Sequence, residues 1–152
     1  MERALRRRLP GGTFRDVSRT TSKTMAAIRG KHAKTTERRF RMALVRAGIA
    51  GWVLHSQDVV GKPDIYFPVE QVAVFLDGCF WHGCPKCGHV PKTNRPFWKA
   101  KIARNQKRDQ LATRQLRASG VSVVRIWEHE LKEDQALAEC VLLVRKRLSK
   151  RS

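Results

Sequence analysis

Gln71 to Leu76 (QVAVFL) is a nearly unbroken apolar run that ends at Asp77-Gly78, and it constrains the fold more than any other stretch. A strand without polar alternation is covered on both faces, so the chain must supply packing on either side of it. Other segments fit that demand. Trp52-Val53-Leu54 and Asp64-Ile65-Tyr66-Phe67, the latter after the turn Gly61-Lys62-Pro63, read as strands, as does 121–127 (VSVVRIW). A helix is expected from Thr35 or Thr36 to Gly48, with the apolar stripe Phe40, Ala43, Leu44 and Ala47. A long helix capped by Asn94 runs to about Ala118 and stops at Gly120; a last one covers Asp134 to Leu148. Ser22 to Gly30 suits a short helix, and residues 1–20, basic and broken by Pro10-Gly11-Gly12, suit a flexible arm. The order helix, three strands, helix, strand, helix predicts an α/β fold: a central mixed sheet flanked by helices. At 152 residues, one domain over 21–152 is expected.

Charge narrows the function. The chain holds 32 Lys+Arg against 13 Asp+Glu, a formal net charge of +19, which points to a polyanion and first to nucleic acid. The distribution says more. Residues 1–48 carry net +11 and residues 78–152 net +11, whereas 49–77, with Lys62 against Asp58, Asp64, Glu70 and Asp77, carry net −3. Carboxylates between two basic arms repel phosphate, unless they hold a divalent cation that bridges to it, as in a nuclease. No apolar run approaches the ~20 residues of a membrane span. The start, MERALRRRLPGG, lacks the apolar segment of a signal peptide, so a cytoplasmic, nucleoid-associated protein with reduced thiols is expected.

Cys79, Cys84 and Cys87 lie within nine residues as C-x4-C-x2-C, and the Cys84-Pro85-Lys86-Cys87 turn suits two thiolates converging on a tetrahedral Zn2+. The fourth ligand is open among His82, His89, His129 and Cys140. Asp64 opens one strand and Asp77 closes the next, so antiparallel pairing would let both carboxylates share one divalent cation, in the manner of restriction-endonuclease-like sites. Glu37 lies on the apolar stripe of its helix, where a carboxylate needs a partner, a metal or a proton. His82, just past Asp77, is a candidate base for an attacking water. On the long helix, Asn105 and Asp109 interrupt a stripe otherwise made of Trp98, Ile102, Ala112 and Leu116.

The stretch Asp77-Gly78-Cys79-Phe80-Trp81-His82-Gly83-Cys84-Pro85 is more specific than any of these patterns. With Gly61-Lys62-Pro63-Asp64, with Phe97-Trp98-x2-Lys101-Ile102-x2-Asn105-x2-Arg108-Asp109 and with Trp127-Glu128, it resembles the very-short-patch-repair (Vsr) mismatch endonucleases, from about Thr21 to Leu131. The resemblance implies a restriction-endonuclease-like fold with a structural zinc. It also implies a Mg2+-dependent enzyme that nicks one strand of duplex DNA on the 5′ side of the thymine in a T:G mismatch, the product of 5-methylcytosine deamination. It makes Asp64 the main Mg2+ ligand, His82 the general base or proton shuttle and Glu37 an assistant through water. Met25, Phe80 and Trp81 become a wedge entering the base stack, and Lys62, Asn105, Arg108 and Asp109 DNA-facing residues. A MutL-type repair protein is an implied partner of a monomeric enzyme.

This chain departs from the family pattern in three places. Asp77 stands where some members have His, which leaves it either a metal ligand or a proton handler. Leu76 replaces a small polar residue. The zinc set is permuted to Cys79, Cys84, Cys87 and His129, with Cys140 as the alternative fourth ligand. Two other readings compete: a restriction-like endonuclease with another DNA substrate, and a non-catalytic zinc-containing DNA-binding module.

Overall fold

A computed structural model describes residues 34–152. The arm over 1–20, the short helix expected over Ser22–Gly30 and Met25 lie outside the described residues. The chain runs through a helix over 34–46 (α1), β1 (Val53–Leu54), β2 (Ile65–Phe67), β3 (Val72–Asp77), α2 (Arg95–Ala118), β4 (Ser122–Trp127), a 3-10 turn (Glu128–Leu131) and α3 (Asp134–Ser149). The strands form one sheet in the order β1-β2-β3-β4. The first two pairings are antiparallel and β3–β4 is parallel, so the sheet is mixed and α2 is the crossover between its parallel strands.

The apolar run becomes the centre of the sheet because only there are both of its faces covered. Val72 and Val74 point to one side, where they pack with Phe40 and Leu44 of α1 and with Cys140, Val141 and Val144 of α3. Ala73 and Phe75 point to the other, against Leu116 of α2 and Val121 and Val123. Alternation then carries Asp77 to the α2 side of the sheet, the side of Phe75.

Two local expectations need correction. Asn94 precedes α2, but in the left-handed region (φ 53°) and without a side-chain cap; its carbonyl accepts from the Trp98 N–H instead. Pro96, in the first turn, lowers the need for a cap because it has no N–H to satisfy. The first strand is only Val53–Leu54, and the turn after β4 is a 3-10 segment that the sequence pattern does not announce. Among the described residues, no helix is long and apolar enough to cross a membrane.

Candidate active site and metal cluster

Three groups of potential ligands converge among the described residues: Cys79, Cys84, Cys87 and His129; Glu37, His55 and Asp64; and Asp77, His82 and Asp109.

The cysteine group sits where the parallel strands end together. Asp77 of β3 is in register with Trp127 of β4, so the residues just beyond them, Cys79 and His129, leave the sheet side by side. His129 Nδ1 lies 3.3 Å from Cys79 Sγ and 3.5 Å from both Cys84 Sγ and Cys87 Sγ. Tetrahedral ligands with metal–S near 2.3 Å and metal–N near 2.0 Å lie about 3.5 Å apart, so these donors fit one small cation. The backbone is shaped for it. A Cβ on Gly88 would come within 2.5 Å of the Cys84 carbonyl, so that position requires glycine, and Gly83 adopts φ 65° with Ile102 Cγ2 2.8 Å from where a Cβ would lie. With no cation, burial and the neighbouring Cys87 push the Cys79 thiol up to about 12, a cost that a bound cation reverses.

Of the four candidates for the fourth position, His129 is the one that lies beside all three thiols. Cys140 is buried in the core with α1, and burial raises its thiol to about 11, as suits a packing residue. His89 lies against the Phe80 ring (centroids 5.8 Å apart), and His82 belongs to the carboxylate group.

The two carboxylate groups lie at the same end of the sheet. Asp64 Oδ2 accepts a 2.7 Å bond from the Leu76 N–H, which locks β2's first carboxylate onto the end of β3, as antiparallel pairing demands. Its pKa is raised, first by burial and then by the charges of Glu37 and Asp77; the Leu76 N–H and His55 pull the other way without winning. Burial thus disfavours the ionised form of Asp64, and a cation bound there would favour it. Glu37 reaches it from the first turns of α1, and its Oε1 is 3.2 Å from His55 Nε2 and 3.7 Å from Arg41 Nε.

Asp77 is held differently. Arg125 Nη1 donates to both of its oxygens at 3.0 Å, Nε donates to Thr113 Oγ1 and Nη2 to the Asp109 carbonyl, while the guanidinium lies 4.3 Å from the centre of the Phe75 ring. Asp77 thus has its own cation. Its other neighbour is His82, whose Nδ1 is 3.9 Å from Asp77 and 2.5 Å from Asp109 Oδ2. A carboxylate on Nδ1 fixes the ring and its tautomer, leaving Nε2 to take or give a proton.

The polar residues on the apolar stripe of α2 now have a reason. Asn105, 6% exposed, donates to the Trp81 carbonyl at 2.8 Å and accepts from Arg108 Nη2 at 3.1 Å. Asn105 and Asp109 together fasten the segment that bears Phe80, Trp81 and His82 onto the helix. Phe80 and Trp81 are half-buried and meet edge-on, their centroids 5.1 Å apart; Trp98 backs both, at 5.4 and 6.0 Å. Lys62 is exposed in the turn before Asp64.

Two residues of the site carry no motif signal: Arg125 and His55. Arg125 is the single charge in the strand VSVVRIW, and a charge at a position that alternation turns inward implies a carboxylate facing it. His55 follows β1, and extending the register Leu54↔Ile65 by one residue sets it opposite Asp64.

Comparison with known proteins decides the family. The family model described as DNA mismatch endonuclease Vsr matches residues 15–87, which include Glu37, Asp64, Asp77, His82 and the three clustered cysteines. The DNA mismatch endonuclease Vsr of Escherichia coli K12 is 32% identical over 79% of this chain and 80% of its own length. The chain belongs to the Vsr family. Among other Vsr-like relatives, the type II nicking enzyme V.NaeI of Lentzea aerocolonigenes is 40% identical over 79% of this chain and 68% of its own. The type II nicking enzyme V.XorIIP of Xanthomonas oryzae pv. oryzae is 37% identical over 74% and 82%. The protein is a Vsr-family DNA endonuclease, with DNA as its substrate.

Proposed function

We propose that this Vsr endonuclease nicks one strand of duplex DNA 5′ of the thymine in a T:G mismatch, by Mg2+-dependent hydrolysis. The observation that carries the reading is the convergence of Asp64 with Glu37 and His55 at the end of the sheet where Asp109 orients His82. The mismatch comes from the family resemblance and from the name of the Escherichia coli relative.

Asp64 would hold Mg2+ together with Glu37, which clusters with it, rather than with Asp77 as expected from the sequence, since the Asp77 carboxylate is paired with Arg125. When bound, the ion would neutralise developing phosphate charge and make a water more acidic. The residues do the rest. His82 takes the water's proton at Nε2, and Asp109 stabilises the resulting imidazolium through Nδ1. Arg125 holds Asp77 in place beneath His82. Phe80 and Trp81 supply faces for a base step opened at the mismatch, where unstacking is cheapest, and Trp98 keeps them from folding back. Lys62, Arg108 and the exposed Lys99, Arg104 and Lys107 of α2 are placed to bind phosphates. Met25 completes the wedge in this reading.

Cys79, Cys84, Cys87 and His129 would hold Zn2+ as a structural ion, since four protein donors leave no open position for substrate. Purified protein is expected to contain one zinc per chain. Its removal by a strong chelator should lower the melting temperature sharply and abolish nicking together. Metal analysis with parallel melts checks this, and a zinc-free protein of unchanged stability would remove the structural role.

Strand-resolved cleavage of a labelled duplex with one T:G mismatch, in several sequence contexts and with or without Mg2+, tests the whole reading. A Mg2+-dependent nick confined to the thymine strand and absent from the T:A control is expected. Equal nicking of the matched duplex would favour a second reading, in which this enzyme nicks another DNA substrate; the nicking-enzyme names of several relatives give that reading its support. Binding without cleavage would leave a DNA-binding zinc module. A MutL-type partner and a monomeric state are further parts of the proposal.

A further inference from the structure

We propose that His55 is a metal ligand of the Asp64 site, and that its imidazole makes the site prefer Mn2+ over Mg2+. The inference rests on the reading that Asp64 binds a divalent cation and goes beyond it by adding a nitrogen donor.

Geometry carries it. One donor atom each from Glu37, His55 and Asp64 lies within 4.8 Å of the other two. His55 Nε2 and Glu37 Oε1 are 3.2 Å apart. Two adjacent ligands, each about 2.1 Å from one ion, lie about 3 Å apart, so this separation suits a shared ion without rearrangement. The backbone fixes His55 in that position: its N–H donates to the Asp64 carbonyl at 3.1 Å, and its own carbonyl accepts from Gln57 Nε2 at 3.0 Å. The residue adopts φ 48°, a left-handed conformation that histidine tolerates better than most side chains and that turns it out of the line of β1.

The chemistry sets the preference. Mg2+ binds oxygen and sheds water reluctantly, so an imidazole adds little to its affinity. Mn2+ is the weakest binder of the first-row transition ions and also favours oxygen, but it exchanges a water for an imidazole nitrogen more readily than Mg2+ does. The same pocket then takes Mg2+ through Glu37 and Asp64 alone and Mn2+ through all three residues.

The test uses the full-length, zinc-loaded protein with Mn2+ as probe, titrated by electron paramagnetic resonance, with Mg2+ affinity obtained by competition. Pulsed measurements on the Mn2+ complex are expected to show nitrogen coupling from an imidazole. His55→Gln should abolish that coupling and weaken Mn2+ binding at least about ten-fold, the scale set by the loss of metal-site partners, while Mg2+ affinity changes less than about two-fold. Asp64→Ala should lose both ions. Wild-type protein without nitrogen coupling, a His55→Gln variant that keeps it, or an equal loss of both ions would each overturn the assignment and leave His55 as an ion-pair partner of Glu37. The underlying reading fails separately, if Asp64→Ala still nicks DNA.

Discussion

Asp64→Asn is expected to abolish nicking, by at least about a hundred-fold, and yet to melt at a higher temperature than wild type at pH 7 without added cation. The sign follows from the raised pKa. In the unfolded chain this carboxyl ionises at its ordinary value; in the folded protein burial and the charges of Glu37 and Asp77 resist ionisation. Below the unfolded pKa the group is neutral in both states and costs nothing. As pH rises past that value the unfolded state sheds its proton first, folding is penalised, and the full penalty persists above the folded pKa. An amide escapes it and still offers an oxygen to the Leu76 N–H. The two melting curves should therefore converge in acid and separate toward neutrality. Adding a divalent cation should raise the wild type and leave the variant unmoved. A variant less stable than wild type at pH 7 would refute the account of Asp64 as a site strained for binding rather than for folding.

Arg125→Met is expected to destabilise the fold by about 3–5 kcal/mol, because it removes the guanidinium that pairs the Asp77 carboxylate, 6% exposed. For a chain of this length that is a fall in melting temperature on the order of 10 °C. The double variant Arg125→Met/Asp77→Leu should recover much of the loss, since it leaves no orphan charge, but nicking should not return. Thermal and urea unfolding of the two singles and the double give the coupling directly. Independent, additive effects would show that the pair is not the unit the geometry makes it.

Much of the fold is legible in the sequence because it rests on patterns with one solution. QVAVFL has no polar face to turn to water, so it must be central; the helix over 34–46 shows its buried side through Phe40 and Leu44. The thiols show their cluster through spacing alone. Pairwise chemistry at a distance is less legible. Arg125 and Asp77 are 48 residues apart, and His82 and Asp109 are 27 apart; no local periodicity links them. The interruption of the α2 stripe by Asn105 and Asp109 marks where a partner must come, though not which partner. His129 is the plainest case: four candidates offer the right donor, and only the parallel register of β3 with β4 shows which of them lies beside the thiols.

That same parallel register has a consequence for the enzyme while it is being made. A parallel neighbour can join β3 only after the chain has travelled back along α2, so the contacts that assemble the site come late in synthesis. Asp77 meets its guanidinium, His82 its orienting carboxylate and Cys79 its imidazole only once residues 109, 125 and 129 have emerged and docked, the last of them 50 positions after Cys79. Residues 1–48, made well before them, carry net +11. A chain interrupted before residue 129 thus holds much of the basic charge without the assembled site, and the arrangement that the reaction needs arises only once that residue has emerged and docked.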